Sequence, residues 1–283
     1  MSTTPDPLDL LIDRALQEDV GPGDYSTLSC IPPDAYGAAV LKIKDSGILA
    51  GMEVATRIFQ RIEPGSEVVP FLKDGWEMSA GEIAFEVKAK VHTILLGERL
   101  VLNCMQRMSG IATLTREYTR RLEGYHTRLL DTRKTTPNFR LLEKEAVRIG
   151  GGVNHRMGLY DMIMLKDNHI DYCGGLAKAV DKAWAYVQEH GLGLKIEVET
   201  RDLADVRAAL DTGKVDRIML DNFTPELVKH AIDLIGGRAE TEASGGIHLE
   251  NLQAYAETGV DFVSAGSIIH QAQSLDLSLK AKK

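Results

Sequence analysis

Six short apolar runs in the second half of the chain each end on residues able to hold an anion or a hydroxyl group. TRLLDTRK, DMIMLKD, LKIEVET, DRIMLDN, AETEASGG and DFVSAGS stop at Arg133-Lys134, Lys166, Glu199, Asp221, Ser244-Gly245-Gly246 and Gly266. Taken singly, each is accounted for as a solvated loop charge or a simple turn. Six in succession are not, because an apolar strand gains nothing from a charge at its tip unless the charge is used. In chain order the set passes from cations to carboxylates to glycine turns. Planar guanidinium groups suit carboxylates, and compact ammonium groups suit phosphates. Arg133, Lys134, His155, Arg156 and Lys166 stand at strand ends or in the glycine-bounded loop GGGVNHRMG. The turns in EASGGIHLENL and SAGSIIHQA open onto helices, so backbone N–H groups and two helix N-termini can cradle a phosphate. The implied ligand is multiply anionic.

Glu199 and Asp221 invert the sign of the charge. They can hold a divalent metal through oxygen, bond sugar hydroxyls, act as acid and base, or serve as counter-ions that orient Lys134 and Lys166. Arg140, Glu143, Lys144 and Arg148 are spaced as a salt-bridged helix surface instead. Other chemistries find little support. The eight histidines show neither HxH nor HExxH spacing, and GxSxG and Walker motifs are missing. A Schiff-base role for Lys134 or Lys166 would need apolar surroundings to depress the amine pKa, and neither lysine has them in sequence.

The elements that must position these residues follow from periodicity. Helical stretches at 177–190, 203–210, 225–235 and 252–257 separate the later runs, and Thr224-Pro225 forms a helix start. The alternation predicts βα units and a parallel sheet. Functional ends on nearly every strand, with glycine turns on the last two, favour a barrel over a doubly wound sheet. Six strands are visible where a closed barrel has eight, so either closure is incomplete or two strands escape the periodicity. Upstream, an amphipathic helix ends before Gly21-Pro22-Gly23. Strand-like segments follow at 38–50, 66–72 and 82–93, and then one or two helices with a break at Ser109-Gly110.

A chain of 283 residues is long enough for two domains or one large barrel, and 44% hydrophobic with 26% charged residues excludes extended disorder. The net charge of -8 argues against nucleic acid or an anionic membrane as partner, so the anionic ligand must be met by a local basic cluster between Arg128 and Lys166. Three scattered cysteines without a CxxC pair suggest neither a disulfide framework nor structural zinc, and a reducing compartment fits them best. The acidic first twenty residues do not read as a secretory signal, and no apolar run reaches the roughly 20 residues that a bilayer requires. A cytoplasmic protein is expected.

At these residues the sequence resembles the quinolinate phosphoribosyltransferase family. The marks are ALQEDVGPGDYST, GERLVLNCMQRMSGIAT and the long DTRKTTPNFRLLEKEAVRIGGGVNHRMGLYDMIMLKDNHI, followed by IEVE, IMLDNF, EASGGI, the SAG turn and LDLSL. Asn138, where TTPG would be commoner, and Ile269, where the last turn often has Thr, depart from the pattern. The resemblance implies an α/β fold with an N-terminal α/β sandwich over 1–111, joined by 271–283, and an open α/β barrel over 112–270. It implies quinolinate and 5-phosphoribosyl-1-pyrophosphate as substrates, Mg²⁺ as cofactor and a homodimer with shared active sites. By the same likeness Arg99, Arg133, Lys134, Thr135, His155, Arg156 and Lys166 would meet quinolinate. Lys134, Lys166, Glu199, Asp221, Ser244, Gly245, Gly246, Gly266 and His270 would meet the phosphoribosyl donor, with Glu199 and Asp221 near the metal. Related proteins found with molybdate transport genes, acting on another aromatic acid, share many of these motifs. A non-catalytic phosphate-binding module would need neither the carboxylate clamp nor the Glu199/Asp221 pair.

Overall fold

A computed structural model describes residues 5–282. Within them two compact units are formed, one from 5–116, 135–151 and 268–282, the other from 117–134 and 152–267.

The first unit begins with α1 (Pro7–Val20), whose Asp6 cap accepts a bond from Leu8 N, and which stops at Gly21 with φ 51°. Then come α2 (Tyr25–Cys30), β1 (Tyr36–Ile43), β2 (Gly47–Ile48), α3 (Met52–Ile62), β3 (Glu67–Pro70), β4 (Glu77–Met78) and β5 (Ile83–Lys90). Strands β12 (Leu277–Ala281), β1, β5 and β3 pair in that order, antiparallel throughout. Helix α3 was not foreseen in sequence, because the strand-like segments on either side dominate that stretch. Its Met52, Val54, Ala55, Ile58 and Phe59 nevertheless keep helical spacing and are all buried.

Helix α4 (Val91–Arg121) runs unbroken for 31 residues, so the expected break at Ser109-Gly110 does not occur. Both residues serve close packing. Ser109 Oγ accepts from Ala50 N at 3.0 Å, and a Cβ on Gly110 would overlap the Gln273 carbonyl and stand 2.8 Å from its carbon. Helix α5 (Arg140–Ile149) corrects the salt-bridged surface inferred for Arg140, Glu143, Lys144 and Arg148: Glu143 and Lys144 are fully buried. Only Arg148 behaves as a surface charge, pairing with Glu145 rather than with Lys144's neighbour Glu143.

The second unit alternates β and α. Its strands and helices are β6 (Arg128–Leu130), β7 (Ile163–Leu165), α6 (Asp167–Cys173), α7 (Leu176–Glu189), β8 (Ile196–Thr200), α8 (Leu203–Thr212), β9 (Arg217–Asp221), α9 (Pro225–Ile235), β10 (Glu240–Ser244), α10 (Leu252–Ala256) and β11 (Phe262–Ser264). A short α11 (Ser267–His270) crosses into the first unit. The parallel sheet has the order β6-β11-β10-β9-β8-β7. Strands β7 to β11 follow one another in chain order and β6 lies beside β11, which is the succession of a six-stranded ring cut between β6 and β7. The open α/β barrel is therefore present, without the order reversal of a doubly wound sheet. Val153 makes a single parallel bridge to Leu130, bringing the 154–156 segment alongside the end of β6.

Candidate active site

Within the second unit the strand ends converge on a cavity of about 550 Å³. Its wall includes Arg133 and Lys134 after β6, His155 and Arg156, Lys166 after β7, and Glu199 and Asp221. Ser244, Gly245 and Gly246 also line it, as does Glu242 deeper in the barrel. Gly266 is not among its lining residues, and Arg99, Thr135 and His270 belong to the first unit.

Strand register explains the layering of the cavity. Parallel pairing sets Glu197 beside Arg217 and Arg217 beside Glu240, then Glu199 beside Met219 and Met219 beside Glu242, then Asp221 beside Ser244. Residues two apart on a strand share a face, so Glu197 and Glu199, Met219 and Asp221, and Glu242 and Ser244 point the same way. The upper layer holds the groups anticipated from strand ends. Beneath it lie Glu197, Arg217 and Glu242, which attention to strand ends alone missed. The signal was available: IEVET and ETEAS carry acids at every second position, which a solvated face would not combine with such apolar neighbours.

Lys166 Nζ donates to Glu199 Oε2 at 2.6 Å. Asp221 accepts from Asn222 Nδ2 at 2.7 Å. Burial and the nearby Glu199 carboxylate push Asp221 above its ordinary pKa, opposed by Lys166, Asn222 and Lys134. Thus a half-buried carboxylate pair is balanced by two ammonium groups. On the other side of the cavity, burial and then Arg133 lower the Arg156 guanidinium from its usual value. Two like charges crowded together favour an anion between them. Arg133 Nε is itself buried with no acceptor among the described residues.

The loop carrying Arg156 is held from below. Buried Asp131 accepts from His155 N at 2.8 Å and from Asn154 Nδ2 at 2.6 Å. The glycine turn is equally fixed. Gly245 has φ 90° and Gly246 φ 63°, and Asn251 Nδ2 donates to the Gly246 carbonyl at 2.9 Å. A Cβ on Gly245 would overlap the Asn222 amide, with Asn222 N only 3.0 Å away, whereas one on Gly246 would meet nothing within 4 Å. Both alanine substitutions therefore carry backbone strain of about 1–2 kcal/mol, and only Gly245→Ala adds a clash against the residue that holds Asp221. In denaturant unfolding, Gly245→Ala is expected to lose at least about 1 kcal/mol more than Gly246→Ala. Equal losses would show that the turn does not press on Asn222.

Two family models match the chain: the N-terminal domain of quinolinate phosphoribosyl transferase over residues 24–109 and its C-terminal domain over 111–280. The chain is 42% identical over 285 residues to quinolinate phosphoribosyltransferase [decarboxylating] 1b of Nicotiana tabacum, covering 95% of this chain and 81% of that one. It is 42% identical over 269 residues to the probable nicotinate-nucleotide pyrophosphorylase [carboxylating] of Bacillus subtilis (strain 168), covering 95% and 91%. Among solved structures, NadC from Streptococcus pyogenes superposes with TM-score 0.90 at 40% identity, covering all of both chains. The nicotinate-nucleotide pyrophosphorylase from Francisella tularensis gives 0.89 at 37%, covering 99% and 98%.

Proposed function

The chain belongs to the quinolinate phosphoribosyltransferase family, and on that premise we propose how its cavity joins quinolinate to 5-phosphoribosyl-1-pyrophosphate. The products are nicotinate mononucleotide, pyrophosphate and CO₂, formed in de novo NAD biosynthesis. The observation that carries the reading is the division of the cavity. Crowded guanidinium groups on one side match a dicarboxylate, and a Lys–Glu–Asp set beside a glycine turn matches a ribose flanked by phosphates.

Arg133 and Arg156 clamp the quinolinate carboxylates, and the buried Arg133 Nε, without an acceptor among the described residues, is a spare donor for them. Arg99 joins the clamp from the second subunit of a homodimer, and Thr135 stands next to Lys134 in the chain. Lys134 and Lys166 face the departing pyrophosphate, while Glu199 and Asp221 take the ribose hydroxyls. N–H groups of the Ser244–Gly246 turn receive the 5′-phosphate, a role the family likeness extends to Gly266 and His270. The pyridine nitrogen attacks the anomeric carbon in line as the C–O bond to pyrophosphate breaks through an oxocarbenium-like state. The resulting pyridinium accepts the electron pair of the adjacent C–CO₂ bond, and a proton replaces the lost carboxylate.

The oxygen donors of Glu199 and Asp221 fit Mg²⁺. Burial, and after it the neighbouring Glu199 carboxylate, raise the Asp221 pKa, and a hard cation would offset both. When bound with the diphosphate it neutralises charge on the leaving group. A cytoplasmic setting fits the three free thiols, of which Cys104 is pushed up to about 12 by burial and is chemically quiet at neutral pH. Among the described residues no helix is long and apolar enough to cross a membrane.

Quinolinate labelled in the carboxylate that departs should release labelled CO₂ only when the phosphoribosyl donor is present. Donor-independent release, or turnover of other aromatic acids alone, would overturn the reading. Mixing Arg99→Ala with Lys134→Ala subunits should restore part of the lost activity, and well-formed but inactive mixed dimers would count against a shared site.

A further inference from the structure

The second layer of the barrel is occupied by charge that the reaction does not obviously use. His155 Nε2 is buried and stands 3.0 Å from Glu197 Oε2 and 3.4 Å from Glu242 Oε2. Both glutamates are fully buried, on β8 and β10. From β9 between them, Arg217 Nη1 reaches Glu242 at 3.3 Å and Glu197 at 3.9 Å, and Nη2 reaches Glu240 at 3.0 Å. The other ring nitrogen is engaged as well, since the Arg156 backbone N–H donates to His155 Nδ1 at 2.7 Å.

These contacts leave neither ring nitrogen facing a substrate carboxylate. We propose that His155 is a positioning residue, and that Glu197, Glu242 and Arg217 act through it to hold the His155–Arg156 turn so that the Arg156 guanidinium meets quinolinate. This rests on the quinolinate reading above and changes the role of His155 within it.

The chemistry of the set is consistent in charge. Two buried carboxylates opposed by Arg217 alone would leave one uncompensated negative charge, which is costly. A proton removes it. Because Nδ1 accepts a hydrogen bond from Arg156 N–H, the ring N–H lies on Nε2, facing Glu197 and Glu242. The other charged neighbours are Asp131, which holds His155 N, and Arg133, which acts on Arg156. His155, Glu197 and Glu242 also offer three ligand atoms within 4.8 Å of one another, with Arg217 set against both carboxylates.

Nitrogen-15 histidine spectra of the full-length wild type, with His155 assigned by difference from His155→Gln, should show an unprotonated Nδ1 and a protonated Nε2 at pH 7. The pattern should persist when quinolinate is added. A doubly protonated ring, or a proton moving to Nδ1 on binding, would overturn the proposal without any glutamate variant having to fold. In parallel, Glu197→Gln and Glu242→Gln should raise the quinolinate KM by about tenfold to a hundredfold, with kcat and the donor KM changed by less than about threefold. Folded variants with an unchanged quinolinate KM would overturn it too. A wild type that binds no quinolinate would instead overturn the underlying functional reading.

Discussion

Lys166→Ala is expected to lower kcat by about 10²–10³-fold while the quinolinate KM changes by less than about threefold. Lys166 ends β7 and opens α6, where its backbone N–H donates to His169 Nδ1 at 3.0 Å, so its stem is fixed while its ammonium reaches into the cavity. There Nζ holds Glu199 and also acts on Asp221. Two effects follow from its loss. The positive charge that meets the departing pyrophosphate disappears, which slows the step in which negative charge develops. Asp221 also loses one of the groups that lower its pKa, against burial and Glu199, which raise it. The raised pKa means that the ionised form used by the reaction is lost as pH falls through that value. Removing Lys166 moves the acid limb of the rate profile to higher pH. Steady-state kinetics across pH check both parts. An unchanged kcat, or a rise in quinolinate KM alone, would remove Lys166 from the leaving-group side of the site. Arg156→Ala should show the opposite pattern, losing quinolinate binding more than turnover.

The upper layer of the site was legible in the sequence because a charge at the tip of an apolar strand is desolvated at a cost unless a partner or ligand uses it. Lys166, Glu199 and Asp221 stand out in that way, and all three line the cavity. The layer beneath was obscured by the same rule. Glu197, Arg217 and Glu242 lie inside their strands, and only the two-residue spacing with Glu199, Asp221 and Ser244 reveals that they share the barrel interior. Helix α5 shows a different limit. Arg140, Glu143, Lys144 and Arg148 have the spacing of a solvated stripe, and nothing local says that a residue of α4 meets Glu143. Likewise Ser109-Gly110 reads as a helix break until the Gln273 carbonyl is seen against it. Contacts between residues far apart in the chain decide these cases, and one-dimensional periodicity does not contain them.

Glu143 is such a case, and its removal should have the largest effect on stability. Glu143 Oε1 accepts from Arg107 Nε at 3.0 Å and Nη2 at 2.9 Å, and from Thr136 Oγ1 at 2.9 Å, while Oε2 accepts from Thr136 N at 2.8 Å. Arg107 continues the network to the Ile269 and Ala272 carbonyls at 2.8 and 2.7 Å. One fully buried carboxylate thus joins α4, α5 and the loop that follows Lys134 and Thr135, and through Arg107 reaches α11 and the segment after it. Truncation strands a guanidinium and a backbone N–H, so Glu143→Ala should lose about 3–5 kcal/mol in denaturant unfolding. Glu145→Ala, on another face of the same helix, breaks only the exposed pair with Arg148 and should lose less than about 1 kcal/mol. Combining Arg107→Met with Glu143→Leu should recover part of the loss by removing the stranded charge, but not all of it, because Thr136 N still lacks its acceptor. A loss below about 1 kcal/mol for Glu143→Ala would mean that Arg107 finds another partner. Full recovery in the double variant would mean that the Thr136 bonds contribute nothing, and the loop beyond Lys134 would then need a different anchor.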